Sequence, residues 1–155
     1  MGRKIVELDV REILRRKEEP FQGIMQTVNA LDPQDVLELR ATFEPAPLLR
    51  VLGKQGLRSI VNRNGEDDFT LQFYRDEASA LPYWHLDNRG LEPPQPMVRA
   101  LGLLDGVDAY GHGERGLEIW NERVPALLLP ELEERGYQYE FEDVGHQTVV
   151  IRIHR

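Results

Sequence analysis

A chain of 155 residues with 27 acidic and 19 basic side chains, net charge −8, is poorly matched to a nucleic-acid backbone, which is bound through clustered Lys and Arg. It has no cysteine, which excludes disulfides, thiolate nucleophiles, persulfide carriers and zinc–thiolate sites and suits a reducing interior. No apolar run is long enough to span a membrane, and Met1-Gly2-Arg3-Lys4 runs into a strand-like stretch without the features of a signal peptide, so a cytoplasmic location is expected.

Along the chain, residues 4–9 alternate as a short strand. Arg15-Arg16-Lys17, followed at once by Glu18 and Glu19, reads as a solvated loop. Residues 21–31 place Ile24, Val28 and Leu31 at helical spacing, and residues 36–42 alternate again. Pro45 and Pro47 suit the first turn of a second helix, where a missing N–H costs nothing. Leu48, Leu49 and Leu52 give that helix one apolar face, and Gly56 suits the position just past its end. Residues 57–63 and 68–74 read as a hairpin around Asn64-Gly65.

The order then repeats at 83–88, 95–104, 116–121, 126–135, 137–143 and 147–153. From Leu37 onward the halves align at a constant offset of 80: Leu37, Glu38, Pro45, Leu48, Leu52, Gly56 and Gly65 match Leu117, Glu118, Pro125, Leu128, Leu132, Gly136 and Gly145. Earlier the offset is 78 at the first strand and 73 along the first helix. The first half has a longer loop before its first helix, and the second half a longer one after it, at 107–115; length change belongs in loops. Pro130 either kinks its helix or marks where regular turns begin. The expectation is α/β: two tandem βαβαββ units, 1–76 and 83–155, joined by a linker at 77–82. Each is a two-layer sandwich, a four-stranded mixed sheet with two helices on one face. The other face would be solvated or covered, by the sister unit or otherwise.

Leu86-Asp87-Asn88-Arg89-Gly90-Leu91-Glu92-Pro93-Pro94-Gln95-Pro96-Met97 resembles the opening of the TusA/SirA-like sulfur-carrier family, whose motif is an Asp, then Gly-Leu, then Cys-Pro-x-Pro at the first helix. Pro94-Gln95-Pro96 keeps the Pro-x-Pro, and Pro93 stands where the cysteine would be. The first unit keeps only Pro20. The pattern is closest to a cysteine-less, uncharacterised bacterial branch of that superfamily, a domain of unknown function. That branch shows an early Leu-Asp-x-Arg, here Leu8-Asp9-Val10-Arg11 and Leu86-Asp87-Asn88-Arg89, and an aromatic-rich final hairpin. The branch's histidines in the first-helix loop and in the turn after the second strand are missing here, so no metal or haem role carries over. The resemblance implies the same sandwich fold and no established activity.

Proline cannot accept sulfur, so sulfur transfer is set aside. His85, His112, His146 and His154 lack a common ligand spacing and read as surface residues; no metal and no cofactor is expected. Asp9 and Asp87 end the first strands and could act as bases, but capping the turn or pairing with Arg11 and Arg89 is the preferred role. Trp84, Trp120, Tyr83 and Tyr110 are candidates for exposure, Trp120 covering a sheet face or an inter-repeat contact.

In an open α/β sheet, ligands sit at the carboxyl ends of parallel strands. That rule gathers Asp87, Arg89, Glu92, Asn121 and Arg123 in the second unit, with Arg11 as a first-unit counterpart, as a candidate binding site. Arginines beside helix N-termini could hold a small anion or a partner's carboxylate; pairing with Asp87 and Glu122 is the competing reading. The expectation is a non-catalytic module that binds a protein partner or a small anionic ligand, with neither nucleic acid nor membrane as partner and a homodimer left open. The alternative is an enzyme, or an accessory subunit in redox or sulfur metabolism, with an Asp/Arg site at the strand ends.

Overall fold

The computed structural model describes residues 3–75 and 80–155. They separate into two compact units, Arg3–Ala80 and Leu81–Arg155. Positions 77–79 of the expected linker lie outside the described residues. Unit one runs β1 (Ile5–Asp9), α1 (Arg11–Arg15), α2 (Phe21–Asn29), β2 (Val36–Ala41), α3 (Ala46–Lys54), β3 (Arg58–Gly65), β4 (Asp68–Tyr74). Unit two runs β5 (Tyr83–Asp87), α4 (Gln95–Gly106), α5 (Asp108–Gly111), β6 (Gly116–Asn121), α6 (Leu128–Glu134), β7 (Gln138–Gly145), β8 (Thr148–His154). Each forms a four-stranded mixed sheet, ordered β1-β2-β4-β3 and β5-β6-β8-β7. The first two strands of each are parallel and the rest antiparallel. The fold class is the one expected from the sequence.

The core follows from strand alternation. Leu37 and Leu39 of β2 pair with Phe73 and Leu71 of β4, and all four are fully buried beneath Ile24 and Val28 of α2 and Leu48 and Leu52 of α3. Leu117, Ile119, Ile151 and Ile153 occupy the same positions in unit two and are likewise fully buried. Both second helices end as expected. Gly56 and Gly136 adopt φ of 86° and 79°, and the following N–H, of Leu57 or Tyr137, returns to the carbonyl of Leu52 or Leu132. An L side chain is disfavoured at this φ. Regular turns of α6 begin at Leu128, which puts Pro130 in the first turn, where it breaks no internal bond.

Three local expectations change. The extra loop lengths each contain a short helix, α1 and α5. Leu14 of α1 packs on the core and Tyr110 of α5 is buried, so each added segment folds because it carries an apolar side chain to bury. The first hairpin turns at Glu66-Asp67, because Gly65 pairs with Asp68 and the register shifts between Arg63 and Gly65. In the second hairpin the equivalent pair, His146 and Gln147, takes positive φ of 52° and 53°, the backbone a two-residue hairpin turn favours.

The aromatics are not exposed: Tyr83, Trp84, Tyr110 and Trp120 are all buried. Trp120 does point away from Leu117 and Ile119, but its indole N–H donates to Glu118 Oε2 at 2.9 Å and the His85 ring meets it edge-on. His85 is therefore no surface residue. It is 5% exposed, with Nε2 3.3 Å from Glu118 Oε2, while Arg152 Nε donates to the other Glu118 oxygen at 2.9 Å. Burial of the carboxylate is balanced by these donors. Desolvation pushes the Tyr110 phenol up to about 12.

Gly116 sits opposite Tyr83 in the parallel ladder. A Cβ there would lie 2.6 Å from Tyr83 Cδ1 and 2.8 Å from the Ile153 carbonyl oxygen. Gly116→Ala should therefore cost about 2 kcal/mol of stability by overpacking. Gly102→Ala, inside α4 with open space around it, should gain about 0.5–1 kcal/mol from helix propensity. Urea denaturation of the two variants checks both signs.

Candidate binding site

At the carboxyl end of each first strand the Asp-x-Arg stretch closes on itself. In unit two Arg89 Nε and Nη2 donate to Asp87 Oδ1 and Oδ2 at 2.9 and 3.0 Å, and the Arg89 backbone N–H adds a bond to Oδ1 at 3.1 Å. Arg89 Nη1 reaches Thr148 Oγ1 at 3.0 Å, and the guanidinium lies 5.2 Å over the Trp120 ring. Unit one repeats the fork. Arg11 Nε and Nη2 hold Asp9 at 3.0 and 2.8 Å, and Nη1 lies 3.6 Å from Asp68, the residue that corresponds to Thr148. A planar guanidinium matched to a carboxylate is the geometry only Arg supplies. These bonds, with Arg40 adding a lesser charge effect, hold the Asp9 carboxyl down to about 2.

Of the other expected site residues, Glu92 and Arg123 are exposed, and Arg123 makes no hydrogen bond or ion pair with the described residues. Asn121 is 7% exposed, and its Oδ1 is buried without a hydrogen-bond partner. The two loops do meet: the Asn88 N–H donates to the Trp120 carbonyl at 2.9 Å, and the Gly90 N–H donates to the Glu122 carboxylate. The sequence reading missed Asn88 and Arg99. Asn88 Nδ2 donates to the Pro96 carbonyl at 3.1 Å, tying the strand end to α4, and Arg99 donates to Asn88 Oδ1 and to the Asp87 carbonyl.

The corresponding mouth of unit one opens into a cavity of about 650 Å³. Val10, Leu39 of β2, Leu14 of α1, Ile24 of α2, and Leu48 and Val51 of α3 line it. Phe21 and Phe43, 41% and 51% exposed, stand among its lining residues, with Lys17, Glu18 and Glu19 as its charged members. Glu18 is paired with Arg16 at 3.2 Å and Glu19 accepts the Phe21 N–H at 2.7 Å. Through the repeat offsets, Glu92 and Arg123 stand where Glu19 and Phe43 line this cavity. The volume falls within the range of small-ligand sites. The clue available in the sequence was Ile13-Leu14 within the extra loop, apolar residues with no place in either expected helix.

Residues 7–75 and again 85–155 match the model of a family described as "Uncharacterized conserved protein (DUF2249)". The chain belongs to the DUF2249 family. Each DUF2249 repeat coincides with one structural unit, and the Asp-x-Arg fork is common to both. No curated protein and no solved structure matches the chain. Among the described residues, no helix is long and apolar enough to cross a membrane, and no group of three or more His, Asp or Glu side chains is placed to hold a metal ion.

Two consequences can be measured. Since the Asp9 carboxyl lies below its ordinary value in the fold, the Asp9–Arg11 pair contributes stability above about pH 4 and loses it as pH falls towards about 2. Carboxyl NMR should follow a midpoint near 2, and Arg11→Gln should return it to the ordinary range of about 3.9. In unit two, Arg89→Ala should cost about 2 kcal/mol, because it strips a charge-assisted fork from the strand end, while Arg123→Ala should stay within about 0.5 kcal/mol of wild type. Thermal melts of both variants test the difference.

Proposed function

We propose that this DUF2249 tandem is a non-catalytic binding module whose strand-end mouths receive a protein partner or a small ligand. The observation that carries the reading is the apolar cavity of unit one, set at the carboxyl ends of parallel strands between two helix N-termini. Its lining is mostly aliphatic side chains, prolines and two phenylalanines, with Lys17, Glu18 and Glu19 as the charged members, which suits an apolar side chain of a partner or the apolar body of a small molecule. A small anion held by Arg11 or Arg89 finds less support, because each guanidinium is already engaged by its own aspartate.

The catalytic alternative is weaker on the same geometry. A general base needs a pKa near the working pH. Asp9 is held far below it, and both Asp87 oxygens already accept hydrogen bonds from Arg89. We further propose kinship with the TusA/SirA-like sandwiches, supported by the element order and by Pro94-Gln95-Pro96 at the start of α4. Without a cysteine, sulfur carriage is no part of the role, and the cytoplasm is the compartment this composition suits.

The test uses 8-anilinonaphthalene-1-sulfonate, a fluorophore with an apolar aromatic body and one sulfonate charge. It should bind unit one saturably at a single site, and Val51→Trp, which fills the cavity wall, should weaken it about tenfold, or about 1.4 kcal/mol. Equal binding by wild type and Val51→Trp, both shown folded by melting, would remove the cavity as the site.

A further inference from the structure

The charged run Arg15-Arg16-Lys17-Glu18-Glu19 borders the unit-one cavity. Leu14 just before it, and Lys17, Glu18 and Glu19 within it, are lining residues. The run closes α1 by a turn used twice elsewhere in the chain. The Lys17 N–H returns to the Leu14 carbonyl and the Glu18 N–H to the Ile13 carbonyl. Gly56 and Leu57 return to Gly53 and Leu52 in the same way, and Gly136 and Tyr137 to Glu133 and Leu132. The left-handed position of this turn is Gly56 after α3 and Gly136 after α6, but Lys17 after α1, with φ of 59°. A Cβ is disfavoured at that φ, and glycine avoids the cost. A lysine there is an outlier that its backbone role does not explain.

The other charges of the run are engaged close by. Arg15 lies 3.6 Å from Glu12, Arg16 lies 3.2 Å from Glu18, and Glu19 accepts the Phe21 N–H at 2.7 Å. Lys17 is exposed, and its side chain makes no hydrogen bond or ion pair with the described residues. It is also the one basic residue that lines the cavity, whose lining beyond the three charged side chains is entirely apolar. The site therefore offers about 650 Å³ of apolar room and, at its edge, one cation without a counter-ion among the described residues. Unit two has nothing equivalent to α1, for its chain passes from β5 to α4 without a helix. The same added segment supplies both Leu14 and Lys17 to the cavity.

We infer that the unit-one cavity binds an amphipathic monoanion, a molecule with an apolar chain and one terminal carboxylate, whose chain packs among Ile24, Leu39, Leu48 and Val51 while the carboxylate pairs with the Lys17 ammonium. Burial of the chain supplies the affinity, in proportion to the apolar area removed from water. The ammonium supplies the choice of head group. Glu18 and Glu19 share the ligand's sign of charge, but each already has its own donor, so Lys17 is the group left to answer a charge. A lysine stem can lie along apolar surface with its ammonium in water, which suits a head group held at the cavity edge. This inference rests on the reading of the cavity as a binding site and names the chemistry of its ligand.

The experiment titrates octanoate, 1-octanol and octylammonium, alike in chain and different in head group, into the full chain at neutral pH and fixed salt. The methyl NMR signals of Ile24, Leu48 and Val51 report binding. Octanoate should bind saturably and about fivefold more tightly than 1-octanol, with octylammonium no tighter than 1-octanol. Lys17→Gln should bring octanoate to the affinity of 1-octanol and leave 1-octanol unchanged. Lys54→Gln, an exposed lysine that does not line the cavity, should keep the full preference. Lys17→Gly should also lose the preference while melting at a higher temperature, because glycine suits the left-handed turn, so the loss there is not a loss of folding. Saturable 1-octanol binding without a preference for octanoate overturns the inference and leaves the cavity as a binding site. Tightest binding by octylammonium does the same, as does a preference that survives in Lys17→Gln or Lys17→Gly. No saturable shift of these methyls with any of the three removes the cavity reading and the inference together.

Discussion

Everything in each unit hangs on one buried layer, the contact between the two inner strands and the two helices above them. Leu37, Leu39, Leu71 and Phe73 in one copy, and Leu117, Ile119, Ile151 and Ile153 in the other, are fully removed from water. Units of this size have little apolar surface to spare. A strand slipped by a single residue would turn this layer to the wrong face, so the register is fixed and with it the position of every strand end. The Asp-x-Arg forks stand at those ends and lock the exit of the first strand to the start of the last.

That arrangement leaves the mouths between helix N-termini free to vary, because the layer below them carries the stability. The two copies have used this freedom differently. Unit one adds α1, whose Leu14 helps wall an apolar cavity. Unit two has no helix at that point and places amides where unit one has Val10 and Ala41. The two copies share the core layer and differ in the loops above it. Length and residue-type changes are tolerated in loops because the packed layer does not depend on them.

The forks also explain why the expected site only partly assembles as a site. Arg11 and Arg89 were candidates as anion holders, and each is paired with the aspartate two residues before it on the strand-end turn. The local pairing wins because its two partners are already held close by the backbone, so little entropy is lost in forming it. Asn121 and Arg123, which lack such a neighbour, are the candidates that remain uncommitted.

The sequence by itself determined the repeat, the βαβαββ order, the apolar helix-side layer and the absence of thiol chemistry. Each is written in local periodicity, in Pro and Gly positions or in residue type, and none depends on distant contacts. Pro45 and Pro47 at the start of α3 and Gly56 past its end are cases where one residue's backbone chemistry suffices. Only the tertiary structure decided that Trp120 and His85 are buried, that Arg89 is spoken for, and that a cavity opens in the first unit. Alternation tells which face a side chain takes, but its burial and its partners depend on residues brought together from far apart in the chain, as Thr148 is brought to Arg89.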